Sequence, residues 1–292
     1  MTAEPSFEYL VVSCDGKTAQ MQLNRPERLN ALSTAVMEEI IEAADWFDKQ
    51  PDLRVVVVSG AGRSFCAGFD TDAFGTNNQS TSGKVGGRRP ADLGRLMADS
   101  IEGMAPIAVA RLHGHVVGGG LVLAAACDLR IASIETSFSI PEVDLGIPLA
   151  WGGIPRLVRE IGPALTKELV MTCRPFDAEE ASEIGFINRV INIDEIDSAI
   201  NDLVSAIAGK SRIATLSTKA HVNAVTSQMV GTMRSWSDAD GLEVAMADPE
   251  SQKAQESYLS QIKKKTVIKI PLVYAGLCKT PSVTATFIES FS

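Results

Sequence analysis

The sequence predicts an α/β fold, a core of repeated strand-strand-helix units followed by a helical C-terminal region. Three observations carry this expectation. Short runs with strand character recur ahead of segments with helical spacing. Leu53-Arg54-Val55-Val56-Val57-Val58 reads as a strand buried on both faces, the mark of a parallel sheet covered by helices. After residue 152 helical spacing takes over.

Residues 7–23 read as two short strands, the second alternating over Thr18-Ala19-Gln20-Met21-Gln22-Leu23. Asn24-Arg25-Pro26-Glu27-Arg28 breaks the pattern. Ser33 is placed to cap a helix that carries Met37, Ile40, Ile41, Ala44 and Phe47 on one face, with Glu38 and Glu39 in its first turn and Pro51 at its end. The valine strand follows. Residues 75–95, rich in Gly, Asn, Ser, Thr and Arg, read as a long mobile loop able to cover a substrate. A second unit has a strand over Pro106–Leu112, a small-residue helix over 118–126, and strands over Asp128–Ala132 and Ser137–Ile140. Asp177-Ala178-Glu179-Glu180 has the spacing of a capping box, Gly185 stops its helix, and Phe186–Ile191 is one more strand. Ile196, Ile200, Leu203, Val204 and Ile207 then fall at helical spacing. The expected division is a core over 1–193 and a helical region over 194–292, with an atypical tail after about residue 265.

Composition narrows the function. The length of 292 residues suits one large domain or two unequal ones. A net charge of −9 argues against general affinity for nucleic acid, which needs a basic surface. A small phosphate-bearing ligand needs only a few cations, and Arg25, Arg28 and Arg63 lie near the candidate loops. The five cysteines are scattered without metal-ligand spacing, as expected for buried thiols in a reducing compartment. The N-terminus lacks a basic-then-apolar signal pattern, and no apolar run approaches the ~20 residues of a membrane span, so a cytoplasmic location is expected.

Two segments carry the chemistry. Ser64-Phe65-Cys66-Ala67-Gly68-Phe69-Asp70 follows the valine strand, and Gly118-Gly119-Gly120 opens the small-residue helix that ends at Ala126-Cys127-Asp128. Each places glycine where strand gives way to helix, a position that can aim a backbone N–H at a substrate oxygen. Two such donors on one thioester carbonyl would make an oxyanion hole.

With Asn24-Arg25-Pro26…Leu29-Asn30-Ala31-Leu32, Pro141-Glu142-Val143…Leu145-Gly146, Gly152-Gly153…Arg156-Leu157 and Ala181…Gly185–Val190, these segments form an ordered set. That set resembles the crotonase, or enoyl-CoA hydratase/isomerase, superfamily across roughly residues 7–265. The resemblance implies an acyl-CoA thioester ligand whose carbonyl sits between the N–H groups of Phe69 and Gly119. It implies CoA contacts along Arg25, Arg28 and Ala31 and along Phe65 and Ala67, with Gly68, Asp70, Gly118, Val122 and Trp151 completing the substrate site. No separate cofactor is implied, because CoA enters with the substrate. A homotrimer or dimer of trimers is implied, with no nucleic-acid or membrane partner.

Family hydratases offer two glutamates that hold a water between them. Here the first position falls on Val122 and the second on Glu142, in a strand end and loop suited to an exposed acid. One carboxylate facing an apolar wall suits moving a proton between carbons better than adding water. The expectation is therefore an enoyl-CoA isomerase or weak hydratase with Glu142 as acid/base. The alternatives are a non-catalytic acyl-CoA binder and a thioester hydrolase. Ala150 lies where some relatives carry an acid used in dienoyl isomerisation or thioester hydrolysis, which disfavours those versions. Asp144 supplies a second acid only if its segment is extended. Cys66 reads as a packed thiol, His113 and His115 as structural, and Trp151 as either acyl-pocket lining or core. Lys263-Lys264-Lys265 reads as a solvated face or a contact to CoA phosphate.

Overall fold

Alternation in the first twenty-odd residues produces a hairpin: β1 (Leu10–Asp15) pairs antiparallel with β2 (Thr18–Leu23), whose Ala19, Met21 and Leu23 point into the core. The chain is seen here in a computed structural model that describes residues 4–70 and 88–268. β3 (Val55–Gly60), β4 (Ile107–Leu112), β6 (Leu129–Ser133) and β9 (Arg189–Ile191) continue in parallel, giving a six-stranded sheet of order β1-β2-β3-β4-β6-β9. A second sheet of three strands joins β5 (His115–Val117), β7 (Ser137–Ser139) and β8 (Phe176–Asp177).

The helices cover both faces of the large sheet. They are α1 (Thr34–Asp48), α2 (Arg88–Gly103), α3 (Gly119–Ala126), α4 (Gly153–Thr172), α5 (Ala178–Glu183) and α6 (Ile196–Ala208). Beyond them lie α7 (Arg212–Met229), α8 (Asp238–Ala247) and α9 (Pro249–Ile268). β3 is buried on both faces, as its valines predict. Val56 and Val58 enter the main core with residues of α1, α2 and α3, and Val55 and Val57 pack with Val109, Ile131, Ile196, Ile200 and Val204 under α6. α6 thus rests on the sheet although it follows the division expected at residue 193.

Several local expectations hold in detail. The Ser33 hydroxyl accepts from Val36 N (3.3 Å), and the Asp177 carboxylate accepts from Glu180 N (2.9 Å). Others change. α1 begins at Thr34, so Glu38 and Glu39 fall in its second turn; Glu39 instead accepts from the Glu8 and Tyr9 amides, both at 2.9 Å, and ties α1 to the chain before β1. The strand expected over 186–191 shortens to Arg189–Ile191. Residues 88–95 are the start of α2 rather than loop, and the fourfold spacing of buried Leu93, Met97 and Ile101 explains why. The rest of the expected loop, 75–87, and the tail beyond 268 lie outside the described residues, as do the side chains of Lys263–Lys265. β5 and β8 are too short to show a period, and pairing to β7 makes them strands. Among the described residues no helix is long and apolar enough to cross a membrane.

Candidate active site

The Phe65–Asp70 segment is threaded between two partners by its own backbone. Phe65 N donates to His113 O (2.8 Å), Cys66 N to His115 O (3.1 Å), and Val117 N to Cys66 O (3.0 Å). On the other side Ala67 N donates to Leu29 O (2.9 Å), Leu32 N to Gly68 O (2.8 Å), and Asp70 N to Leu32 O (3.0 Å). This ladder joins the Arg25–Leu32 turn to the second sheet and fixes Phe69 at their junction.

Side chains lock the same turn. Asn30 accepts from Arg25 N (2.9 Å) and donates to Ala61 O and Ser64 O, both at 2.8 Å. Arg25 donates to Ala31 O (2.8 Å) and pairs with Asp70 (3.1 Å). Arg25 and Asp70 are therefore engaged with each other and brace the loop. The Phe65 side chain is fully buried, so any ligand contact from it must be main-chain. Arg28 stands exposed at the rim of this turn.

The glycine run enters from β5. Gly118 caps α3 with φ +49° and ψ −115°, a backbone that only glycine adopts easily, and its amide donates to Ser139 O (2.9 Å). The first bonds of α3 run from Leu121 N and Val122 N to Gly118 O, so Gly119 N belongs to the helical turn whose amides precede that ladder. Gly68 brings the two segments together: a Cβ added there would lie 2.8 Å from Val117 O and 3.7 Å from Gly119 N. Two glycine segments far apart in sequence thus meet backbone to backbone.

Glu142 closes this corner. A Cβ at Gly118 would reach the Glu142 carboxyl carbon at 3.2 Å and press on Oε1. Glu142 Oε2 is buried and has no hydrogen-bond partner among the described residues. Burial pushes the carboxyl up to about 7, against a smaller opposing effect of its own main-chain N–H. The expected exposed acid is therefore a largely buried one. The cause is the turn after Pro141: Leu145 N bonds Pro141 O (3.1 Å), Gly146 N bonds Val143 O (2.9 Å) and Ile147 N bonds Glu142 O (2.9 Å). That turn is not extended, so Asp144 does not share a face with Glu142 and lies exposed. Asp144 is thus no second acid for this corner.

Beyond Gly118 the start of α3 is packed with apolar side chains. Val122, one turn along α3 from Gly118, is 1% exposed and lies beside Gly153. Trp151 stands edge-on to Phe69, ring centroids 5.9 Å apart, with its indole against Gly119. It is half-buried and packed against the main core.

The remaining candidates are accounted for by packing. The Cys66 thiol is fully buried, and burial pushes it up to about 12, far from a nucleophile's range. His113 Nδ1 lies 3.1 Å from Arg111 Nη1, a donor only, so Nδ1 accepts and Nε2–H donates to Gly62 O (2.9 Å). Burial holds His113 below its usual value, as a structural neutral histidine. No group of acids, histidines and cysteines among the described residues is arranged to hold a metal ion.

Sequence reasoning missed what encloses the corner. A Cβ at Gly146 would collide with Ser251 of α9, so that helix lies over the turn after Glu142. Tyr258, two turns along the same face, has its phenol raised first by burial and then by Asp144 and Glu142. The fourfold spacing of Leu93, Met97 and Ile101 was a legible signal for α2; α9 carried no comparable one.

Comparison with known proteins gives the family. The sequence model of the enoyl-CoA hydratase/isomerase family matches residues 15–266. The peroxisomal Delta(3,5)-Delta(2,4)-dienoyl-CoA isomerase of Arabidopsis thaliana is 35% identical over 75% of this chain and 82% of its own. The crotonyl-CoA hydratase of Syntrophomonas wolfei is 30% identical over 90% of this chain and 100% of its own. Among solved structures, an enoyl-CoA hydratase from Bacillus halodurans superposes with a TM-score of 0.79 at 20% identity, over 86% of this chain and 100% of its own. An ordered set of motifs, a mostly parallel sheet flanked by helices, and matches over most of the chain all lead to one assignment: this protein belongs to the enoyl-CoA hydratase/isomerase family.

Proposed function

We propose that the protein isomerises enoyl-CoA thioesters, with the Phe69 and Gly119 amides holding the thioester oxygen and Glu142 as the single acid/base. The observation that carries this reading is the Glu142 carboxyl seated on Gly118, beside Gly119, with a valine where a second glutamate would be needed. Stabilising negative charge on the thioester oxygen makes the α-proton acidic, and each preorganised donor of this kind lowers the barrier by roughly 3–4 kcal/mol. Glu142 takes the proton from the α-carbon of a 3-enoyl thioester, the enolate forms against the two amides, and the same carboxyl returns the proton to the γ-carbon. The product is the conjugated 2-enoyl thioester. A carboxyl that titrates near 7 is matched to both halves of that cycle.

Hydration needs a water held and polarised from two sides. Val122 can do neither, and Asp144 lies exposed. Ala150, where dienoyl isomerisation or thioester hydrolysis would place an acid, is a nearly buried methyl. CoA is part of the substrate in this reading, and no separate cofactor is required. The Arg25–Ala31 turn and the main chain of Phe65–Ala67 form the path proposed for its pantetheine and adenine ends.

The assembly proposed is a homotrimer, alone or paired. Met229, Met233, Trp236 and Val244 are 75%, 89%, 60% and 72% exposed on α7, α8 and the turn between them, an apolar surface suited to further copies.

The test is an assay of purified protein with a 3-enoyl-CoA and a 2-enoyl-CoA. Conjugation of the first should far outpace hydration of the second. Binding without turnover of either supports the non-catalytic alternative, and release of free CoA supports the hydrolase.

A further inference from the structure

We propose that Trp151 sets acyl-chain length: its indole is a fixed wall that restricts the site to short acyl groups. The inference rests on the reading that places the thioester carbonyl at Phe69 and Gly119.

The indole stands where α2 approaches the start of α3. A Cβ at Gly119 would lie 3.0 Å from Cη2 and 3.1 Å from Cε3, and one at Gly94 would collide with Cγ, Cδ2 and Cε2. Both glycines leave room that the ring fills. The ring also meets Phe69 edge-on, at 78°. One side chain therefore touches both segments proposed to hold the carbonyl. Gly118 turns its α-carbon toward Glu142, and Gly119 turns its own toward Trp151. An acyl chain leaving a carbonyl held there runs from the carboxylate side into the indole.

The wall is held from behind. Trp151 has φ +61°, a conformation that bulky residues rarely adopt and that the next residue, Gly152 at φ +69°, adopts freely. Its carbonyl accepts from Arg156 Nη1 (3.2 Å), which also donates to Gly152 O (3.2 Å). Arg156 is fully buried, and its Nη2 reaches Asp99 (2.8 Å) and Glu102 (2.5 Å) on α2. The Gly152 amide donates to Asp238 of α8 (2.8 Å). The indole thus hangs from a main-chain turn tied to three helices, and its ring is packed between Gly94, Gly119 and Phe69. Arg156 acts as its positioning residue.

The experiment compares kcat/KM for a four-carbon and an eight-carbon 3-enoyl-CoA in the wild type, W151G and W151F. Glycine suits the backbone of position 151, so W151G removes the ring without adding strain, and W151F keeps a smaller ring should W151G fail to fold. The wild type should prefer the short substrate. The long-to-short ratio should rise about tenfold or more in W151G and by a smaller factor in W151F. A ratio unchanged in both variants while the enzyme stays active, a common fall for both substrates, or a wild type that already prefers the long chain overturns the inference alone. A wild type that neither binds nor turns over any acyl-CoA overturns the functional reading, and this inference with it.

Discussion

The Glu142 carboxyl titrates near 7 because its Oε2 is buried without a hydrogen-bond partner among the described residues, and this has consequences beyond catalysis. Between its ordinary value of 4.5 and about 7 the folded chain keeps a proton that the unfolded chain has released. Stability therefore falls as pH rises through that window and is level above it, for a total of up to roughly 3 kcal/mol. E142Q removes the ionisation. It should be more stable than the wild type above neutrality and equal to it in acid, as read by urea denaturation at both ends of the window. The chemistry runs the other way: proton abstraction needs the carboxylate, so wild-type kcat/KM should fall as pH drops through about 7. G118A puts a methyl into the carboxyl group on a backbone that resists side chains. It should lower kcat by at least about a hundredfold, measured on a variant shown by circular dichroism to be folded.

At the scale of elements, the turn between β7 and α4 carries both the acid and the indole, and it is held by buried charge. Arg156→Ala leaves Asp99 and Glu102 facing an apolar junction, although Arg95 and Arg159 still pair with them. It should cost about 1–3 kcal/mol in a denaturant titration, because the carboxylates keep other partners and stay partly exposed. Much of this architecture was legible in advance. The valines of β3, the Ser33 and Asp177 caps and the glycine entries to α3 each rest on a short-range rule that tertiary packing did not override. What was not legible depends on contacts between distant segments. β5 is a strand because β7 lies beside it, and Glu142 Oε2 is buried where its turn folds back and α9 lies over that turn. Asp144 supplies a second acid only on an extended segment, and this chain turns.

Over the whole molecule, the six-stranded sheet is covered on both faces, while α7 and α8 leave large apolar side chains in contact with solvent. Assembly through that surface predicts a mass three or six times that of the chain in sedimentation equilibrium. Replacing Met233 and Trp236 with glutamate should shift the protein toward monomer without unfolding it, since both side chains are largely exposed. The central claim concerns one carboxyl group beside two main-chain amides, and its most direct measurement pairs turnover with binding in Glu142→Gln. Conversion of a 3-enoyl-CoA should fall by about 10²–10⁴-fold, while calorimetry finds the affinity for a saturated acyl-CoA within a few-fold of the wild type. Retention of most of the activity by E142Q, or loss of binding and turnover in equal measure, would contradict the account.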